Sequence, residues 1–318
     1  MQSRIVILGT GGTIAGTAAS ATDAVGYTAA QIGVGQLVAA VPELAAVSIE
    51  CEQVAQLDSK DMDHATWQHL TLRCAHHLAR DEVSGVVVTH GTDTLEETAY
   101  FLHRVLAPDK PLVLTAAMRP ATSLQADGPQ NLLDAVTVAR GGAVVGVSVV
   151  MAGRAWAGAE VRKQHSHRLD AFDAGDAGPL ALIEHGRLSV LRATQRHHGL
   201  GLGAVMRHSA AWPRVEIVLN HVGADGSLVD ALVAQGIDGI VTAGTGNGTL
   251  GTRLEAALRR AVAAGVSVLR ATRCAAGPLL GGDADDLPDA GVLTAVHARI
   301  ELLLRLLGQQ PGGEFRPP

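Results

Sequence analysis

Short apolar runs recur along the chain and predict buried β-strands. Most are continuous in Val, Ile and Leu rather than alternating, which is typical of parallel strands covered on both faces. The predicted strands are 4–8, 85–89, 111–115, 146–151, 215–220, 239–243 and 266–270. Helical spacing of apolar residues lies between these runs, so the alternation predicts an α/β fold with mostly parallel sheets.

Polar and glycine residues mark the ends of several predicted helices. Apolar residues from 95 to 106 repeat at helical spacing, directly after the second strand. Another helix is predicted to begin near Pro129, which a first helical turn tolerates. The predicted cap residues are Asp127, Ser227 and Thr294, and the predicted stop residues are Gly236 and Gly308.

Residues 190–213 interrupt the alternation of strands and helices. This stretch contains three closely spaced glycines near residue 200 and then Trp212-Pro213, which is typical of a linker. We therefore predict an N-terminal domain over 1–190, a linker over 191–213 and a C-terminal domain over 214–318. The Gly- and Pro-rich tail over 309–318 is predicted to be disordered.

Composition narrows the class of protein. The chain has 318 residues, of which 47% are hydrophobic and 18% charged, which indicates a globular protein with a large core. The net charge of −6 argues against nucleic-acid binding, which depends on neutralising phosphates. No apolar run reaches the length of a membrane span. The three cysteines and the lack of a secretory pattern at the start predict a cytoplasmic location, with a periplasmic one open if a leader was removed.

Two of the strand runs end in small and hydroxyl-bearing residues, where an open α/β sheet places its chemistry. Residues 5–16 read Ile-Val-Ile-Leu-Gly-Thr-Gly-Gly-Thr-Ile-Ala-Gly, and residues 86–98 read Val-Val-Val-Thr-His-Gly-Thr-Asp-Thr-Leu-Glu-Glu-Thr. They supply Thr13, Thr92 and the adjacent carboxylate of Asp93. Two threonines and an acid converging on one crevice favour acyl transfer over redox or phosphate chemistry.

Both segments also have a purely structural interpretation. The first could be a glycine turn that packs a helix onto a strand. It is not the dinucleotide fingerprint GxGxxG, because Ile14 occupies the place of the third glycine. The Thr92-Asp93 pair could cap a helix, since both residue types are favoured there. That interpretation is compatible with catalysis, because backbone N–H groups at a helix start can stabilise an oxyanion.

Lys163 and the histidines carry little information by themselves. A lone lysine in a polar stretch is usually a solvated charge. The paired histidines form neither HExxH nor a zinc-finger spacing, so we interpret them as solvated surface residues and predict no metal. These pairs are His76-His77, His165 with His167, and His197-His198.

Segments 10–16 and 90–99 resemble the two signature motifs of the bacterial L-asparaginase/glutaminase family. Further resemblances follow in the family's order and cover nearly the whole chain: 26–28, 58–62, 117–120, 126–129, Lys163 and 243–248. The resemblance implies a larger N-terminal α/β domain with a mostly parallel sheet and a smaller C-terminal flavodoxin-like parallel α/β domain.

The resemblance also implies a cofactor-free amidohydrolase that converts L-asparagine to L-aspartate and ammonia. Thr13 would attack the amide carbon, and Tyr27 would hydrogen-bond or deprotonate Thr13. Thr92, Asp93 and Lys163 would form a second cluster that relays protons or activates water. The division of labour between the two threonines stays open.

A set of substrate-binding residues follows from the same resemblance: Gly12, Ser59, Lys60, Gly91, Thr92, Asp93, Ala117, Asn247 and Asp285. Ser59 and its loop would hold the substrate α-carboxylate, and Asp93 would pair with the α-ammonium. Asn247 would complete the site of a neighbouring subunit, because the relatives are homotetramers built from intimate dimers.

Two positions depart from the family pattern. Lys60 stands where many relatives carry Gln or Glu. A register through Arg273 puts Ala284 where they carry a glutamate, so we predict that Asp285, or failing that Asp283, takes its place. The small, polar segment 18–24 is predicted to move as a lid that carries Tyr27.

Other functions remain open on the sequence. A broad-specificity glutaminase-asparaginase is the nearest, since glutamine is longer than asparagine by one methylene. A catalytically silent amino-acid-binding protein on the same scaffold is another, although the complete threonine set speaks against it. A nucleotide-dependent oxidoreductase is disfavoured by the missing glycine fingerprint.

Overall fold

The computed structural model describes residues 3–23, 26–206, 212–281 and 286–308. The predicted disordered tail, 309–318, lies outside these ranges. The chain divides into two compact units, one up to Leu202 and one from Gly203 onward. The domain limits of 1–190 and 214–318 stay a prediction. None of the helices that the described residues form is long and apolar enough to cross a membrane.

The first unit is built around one large sheet. Its strands are β1 (Arg4–Gly11), β2 (Thr17–Ala18), β3 (Tyr27–Thr28), β4 (Ile49–Leu57), β5 (Val83–Thr89), β6 (Pro111–Thr115), β7 (Gly146–Met151), β8 (Arg154–Ala157), β9 (Arg162–Lys163), β10 (Phe172–Asp173), β11 (Ala181–Glu184) and β12 (Arg187–Val190). Eight of them form a sheet in the order β12-β11-β8-β7-β6-β5-β1-β4. The strands from β4 to β7 are parallel, and the far edge is antiparallel.

Helices cover both faces of this sheet. They are α1 (Val34–Ala39), α2 (His64–Leu78), α3 (Leu95–Leu106) and α4 (Gly128–Gly141). Ile5 and Ile7 of β1 belong to a buried cluster with residues of α1 and α4. On the other face, Trp67 of α2 stacks on Phe101 of α3 at a centroid distance of 4.6 Å. Continuous apolar runs therefore form the central strands, because both of their faces are buried.

The second unit is a smaller α/β layer structure. Its elements are α5 (Leu202–Met206), which begins at the division, β13 (Val215–Leu219), α6 (Ser227–Ala234), β14 (Gly239–Gly244), α7 (Thr252–Ala263), β15 (Ser267–Thr272) and α8 (Ala295–Gly308). The three strands are parallel in the order β13-β14-β15. Residues of α6 and α7 share a buried cluster with the sheet. The predicted α/β class, with a large mostly parallel sheet and a separate small parallel one, is confirmed.

The predicted strands all form, with ends that shift by up to two residues at the amino end and three at the carboxyl end. The sequence patterns missed β8, β11 and β12 of this sheet, and also β4, which pairs with β1 at the sheet edge. Its residues alternate between partly buried and exposed side chains, among them Glu50 and Glu52, so it lacks the continuous apolar run of a central strand.

One of the three predicted caps needs correction: Gly226, not Ser227, is the cap of α6, and Ser227 is its first residue. Asp127 is the N-cap residue of α4 as predicted, although its side chain makes no capping hydrogen bond. Thr294 caps α8 as predicted, since its Oγ1 accepts the backbone N–H of His297 at 3.1 Å.

One histidine is not the solvated surface residue that we predicted. His77 is buried between α2 and the edge strand β4, and its Nε2 lies 2.7 Å from Oε2 of Glu52. Arg73 and Arg80 also pair with glutamates of β4 around it. Glutamates of the edge strand β4 therefore form a polar cluster around His77. The propensities of the individual residues could not indicate that this histidine is buried.

Candidate active site

Three loops at the carboxyl ends of neighbouring strands touch one another through glycine. Gly12, directly after β1, has φ +80° and ψ −173°, a conformation essentially restricted to glycine. A Cβ atom at Gly12 would lie 2.4 Å from both Cα and N of Gly91, directly after β5. A Cβ atom at Gly91 would lie 2.4 Å from Oγ of Ser59, which follows β4. The absence of side chains therefore lets the backbones that carry Thr13 and Thr92 meet.

The first loop presents a threonine–tyrosine pair. Thr13 begins a 3₁₀ turn over Thr13–Ala15 and is largely buried. Its Oγ1 lies 2.7 Å from the hydroxyl of Tyr27, which comes from the short strand β3. The Tyr27 ring lies close against Gly16, because a Cβ atom there would be 3.0 Å from Cδ2. A phenol at this distance can exchange a proton with the threonine hydroxyl.

The second loop presents a threonine, a carboxylate and a lysine. Nζ of Lys163, from β9, donates to Oγ1 of Thr92 at 2.9 Å and to Oδ1 of Asp93 at 2.7 Å. Thr92 is buried, whereas the Asp93 side chain is 54% exposed and open to a ligand. The arrangement links a buried hydroxyl to an ammonium group, as a proton relay requires.

A glutamate that the sequence interpretation overlooked supports this cluster. Oε2 of Glu96, in the first turn of α3, accepts the backbone N–H of Lys163 at 2.6 Å. Burial raises the pKa of the Glu96 carboxyl to about 6, and the hydrogen bond from Lys163 opposes that rise. Glu96 lies in segment 90–99, but its partner is 67 residues away in the chain, so no local pattern indicated the contact.

Ser59 and Lys60 lie at the same edge of the sheet but differ in their contacts. Ser59 is buried, and its Oγ accepts the backbone N–H of Asp93 at 3.2 Å. Its carbonyl oxygen accepts the hydroxyl of Thr94 at 2.7 Å. Lys60 points its ammonium group at Asp58, which raises the pKa of the lysine. Ser59 is thus part of the assembled cluster, whereas Lys60 forms a surface ion pair beside it.

A buried hydrogen-bond chain holds the second loop from behind. The indole N–H of Trp67 donates to Oγ1 of Thr98 at 2.9 Å, and Oγ1 lies 3.0 Å from Nε2 of His90. Because a carbonyl can only accept, Nδ1–H of His90 donates to the carbonyl of Gly91 at 2.7 Å, so in a neutral ring Nε2 accepts the Thr98 hydroxyl proton. Burial lowers the pKa of His90 to about 4, so the ring is neutral near pH 7.

The loop after β6 brings Ala117 next to the first threonine loop. A Cβ atom at Gly128 would lie 2.9 Å from Cγ1 of Ile14 and 3.5 Å from Cβ of Ala117. Asp127 accepts the backbone N–H groups of Met118 and Arg119 at 3.0 and 2.9 Å. Its carboxylate therefore organises this loop, which explains why it makes no capping hydrogen bond to α4. Burial raises the pKa of Asp127.

The residues predicted for the neighbouring subunit's site belong to the second unit. The side chain of Asn247 exchanges two hydrogen bonds with the backbone of Leu280: Nδ2 donates at 2.6 Å, and Oδ1 accepts at 2.8 Å. Asp283 and Asp285 lie outside the described residues, so their role stays a prediction. Among the residues that the structure describes, no group of three or more His, Cys, Asp or Glu side chains could hold a metal ion.

Comparison with known proteins agrees with this geometry. Residues 4–196 match the family model described as "Asparaginase, N-terminal", and residues 214–314 match "Glutaminase/Asparaginase C-terminal domain". The chain belongs to the asparaginase family. Both parts of the asparaginase architecture are present, in the family's order.

Individual asparaginase relatives are similar over nearly their whole length. L-asparaginase 2 of Escherichia coli (strain K12) is 39% identical, with 95% of this chain and 88% of the relative covered. Glutaminase-asparaginase of Pseudomonas fluorescens biotype A is 35% identical, with 99% and 89% covered. The crystal structure of a probable cytoplasmic L-asparaginase from Campylobacter jejuni superposes with a TM-score of 0.89 at 36% identity, covering 96% of this chain and 95% of that one.

Proposed function

We propose that this protein is an L-asparaginase, hydrolysing the side-chain amide of L-asparagine to L-aspartate and ammonia without a cofactor. The observation that carries the proposal is the pair of hydrogen-bonded clusters on the touching loops at Gly12 and Gly91. One cluster joins Thr13 to Tyr27, and the other joins Thr92 to Lys163. Similarity to proteins named L-asparaginase supports the choice of substrate.

The proposed reaction has two balanced steps. In the first, Oγ1 of Thr13 bonds to the amide carbon of asparagine, and the carbon–nitrogen bond breaks. The Tyr27 oxygen takes the Thr13 proton and releases its own proton to solvent, while the leaving nitrogen gains the Thr92 proton, which solvent replaces, so ammonia departs and an aspartyl ester remains. In the second step, water attacks the ester carbon and returns a proton to Thr13, which releases aspartate.

The second cluster has a separate role in this scheme. With Lys163 donating to Oγ1 of Thr92, the Thr92 hydroxyl is free to donate its own proton to the leaving nitrogen. The exposed carboxylate of Asp93 would pair with the substrate α-ammonium. Ser59, which adjoins Gly91, would face the α-carboxylate, and Ala117 and Gly12 would form the walls.

Glutamine hydrolysis is the second candidate activity. The observation that favours it is the similarity to glutaminase-asparaginases, one of which is 35% identical over 99% of this chain. One extra methylene discriminates between substrates by only about 1–3 kcal/mol. We therefore expect turnover of both amides, with asparagine preferred.

The active form and its location complete the proposal. We expect a homotetramer of intimate dimers, in which Asn247 and Asp285 of one subunit approach the site of another. Light scattering coupled to size exclusion measures this state. The expected location is the cytoplasm, as in the name of the Campylobacter jejuni neighbour, and a relative named as periplasmic keeps the alternative open.

The test is ammonia release by purified, metal-stripped protein from asparagine, from glutamine and from buffer alone. We expect asparagine to react fastest; equal or faster glutamine turnover would favour the second candidate, and no turnover of either would refute both. Thr13→Ala and Thr92→Val should each lower kcat by about 10²–10⁴-fold. Thr137→Ala is the matched control. Within the described residues, the Thr137 hydroxyl hydrogen-bonds only to the Leu133 carbonyl of its own helix.

An activated ester of aspartate separates the two threonines. Its alcohol leaves without needing a proton, so Thr92→Val should be impaired far less with the β-4-nitrophenyl ester than with asparagine. Thr13→Ala should be impaired with both substrates, because each needs the nucleophile. Equal impairment of Thr92→Val on ester and amide would contradict the assignment of Thr92 as proton donor.

A further inference from the structure

The position of Lys163 is not fixed by the main sheet. Lys163 belongs to β9, a two-residue strand that pairs only with β10 in a separate two-stranded sheet of the described structure. Thr92 and Asp93, which its ammonium group contacts, precede α3 instead. The lysine and its two partners thus come from elements about 70 residues apart in the chain. A further contact is therefore needed to hold the Lys163 backbone at a fixed distance from the loop that carries Thr92 and Asp93.

Glu96 joins α3 to the Lys163 backbone by a hydrogen bond. Its Oε2 accepts the Lys163 N–H at 2.6 Å, and its own backbone is part of the first turn of α3, three residues after Asp93. A carboxylate that accepts a backbone N–H forms a strong, charge-assisted hydrogen bond. The side chain is partly shielded from water, which strengthens the interaction further.

We propose that Glu96 is a positioning residue for the amide hydrolysis, acting through Lys163. It ties the lysine backbone to the helix that directly follows the Thr92-Asp93 loop, and so fixes Nζ within hydrogen-bond distance of both. This inference rests on the proposed function. It extends that function by a residue that touches neither the substrate nor the reacting hydroxyls.

A competing explanation treats Glu96 as an ordinary acidic residue of a first helical turn. Such a residue stabilises a helix through its dipole. Under that explanation, removing the carboxylate lowers stability and leaves turnover unchanged. The neighbouring Glu97 occupies the same first turn, so Glu97→Ala is a matched control for loss of charge at this helix end.

The experiment compares Glu96→Ala, Glu96→Gln and Glu97→Ala in kcat and KM for asparagine. Misplacement of a reacting group by about 1 Å can cost about 10²-fold in rate. We expect Glu96→Ala to lower kcat by at least about tenfold, with KM changed by less than threefold. Glu96→Gln keeps an acceptor oxygen and should retain at least a third of the wild-type kcat, and Glu97→Ala should stay within twofold.

A double-mutant cycle tests whether the effect passes through the lysine. In a protein that already carries Lys163→Met, Glu96→Ala should lower kcat by less than a further twofold, because coupled residues are not additive. Full additivity would overturn the proposal. So would a Glu96→Ala protein with wild-type kcat, or a Glu96→Gln protein as slow as Glu96→Ala.

Amide hydrogen exchange supplies a readout that does not depend on activity. The Lys163 amide should exchange slowly in the wild type and at least about tenfold faster in Glu96→Ala, while Glu97→Ala leaves it unchanged. If the wild type hydrolyses neither amide, the proposed function fails, and the exchange rates still decide the link between Glu96 and Lys163. An unchanged exchange rate in Glu96→Ala would refute that link.

Discussion

The contact between Gly12 and Gly91 gives a sharp test of how the site is assembled. Gly12→Ala places a methyl group where it would be 2.4 Å from Cα and N of Gly91 and 2.7 Å from the carbonyl carbon of His90. All three atoms are backbone, so no side chain can rotate away. The substitution also forces a φ of +80° on a residue with a Cβ atom.

The expected magnitude follows from these distances. Carbon atoms pack favourably at about 3.5–4.0 Å, so the two loops must separate by about 1 Å. A displacement of that size can cost about 10²-fold in rate. The strained backbone costs about 1–3 kcal/mol, which corresponds to a fall in melting temperature of about 2–12 °C for a unit of this size.

Steady-state ammonia release and calorimetry measure the two effects. We expect Gly12→Ala to lose at least about 100-fold in kcat/KM for asparagine while it still folds. Gly35→Ala is the control: it lies in α1 with nothing within 4 Å of the added atom, so it should keep full activity and gain about 0.5–1 kcal/mol of stability. A Gly12→Ala protein with near-normal kcat/KM would show that the loops need not touch.

Three further predictions concern individual side chains. Tyr27→Phe removes the hydroxyl 2.7 Å from Oγ1 of Thr13 and should lower kcat for asparagine by about 10²-fold or more, measured by ammonia release. Burial lowers the pKa of His90 to about 4, whereas the unfolded chain protonates this histidine below about pH 6.5. The free energy of unfolding should therefore be highest above about pH 6.5 and fall by about 3 kcal/mol as the pH drops towards 4. Urea unfolding of His90→Gln should therefore show a shallower decline than the wild type over that window. Phe101→Ala removes a fully buried ring stacked on Trp67 and should cost about 3–5 kcal/mol in the same assay, without a change of sheet architecture.

The central strands were predictable because burial on both faces permits only one sequence pattern, a continuous apolar run. Burial on both faces of β1 and β5 demands continuous apolar residues, and the polar residues that follow mark the carboxyl ends. The edge strand β4 was not predicted, because one of its sides faces charged residues of α2. Its Glu50 accepts from Arg80, which lowers the pKa of the glutamate to about 2. Such pairs depend on a tertiary contact that no local window contains.

The sequence predicted the threonines of the candidate site, but it did not predict the residues that hydrogen-bond to the site and hold it in place. Thr13 and Thr92 follow strand ends and were found from the sequence. Glu96 and His90 lie within the same motif, yet their partners, the Lys163 amide and the Thr98 hydroxyl, become neighbours only on folding. Asp127 occupies the predicted cap position, and its side chain lacks the capping hydrogen bond for the same reason. A nearby helix start was visible in the sequence, whereas the competing N–H groups of the 118–119 loop were not.

The two threonines face different groups, and that difference bears on the division of labour between them. An ammonium group that donates to Oγ1 of Thr92 engages a lone pair of that oxygen, which makes it a weaker nucleophile and a stronger proton donor. Oγ1 of Thr13 faces the Tyr27 hydroxyl, which can take the threonine proton as it passes its own proton onward. The contact of Gly12 with Gly91 joins the loops that carry these oxygens. We therefore infer that attack belongs to Thr13 and protonation of the leaving nitrogen to Thr92, and that the glycine contact couples the two steps.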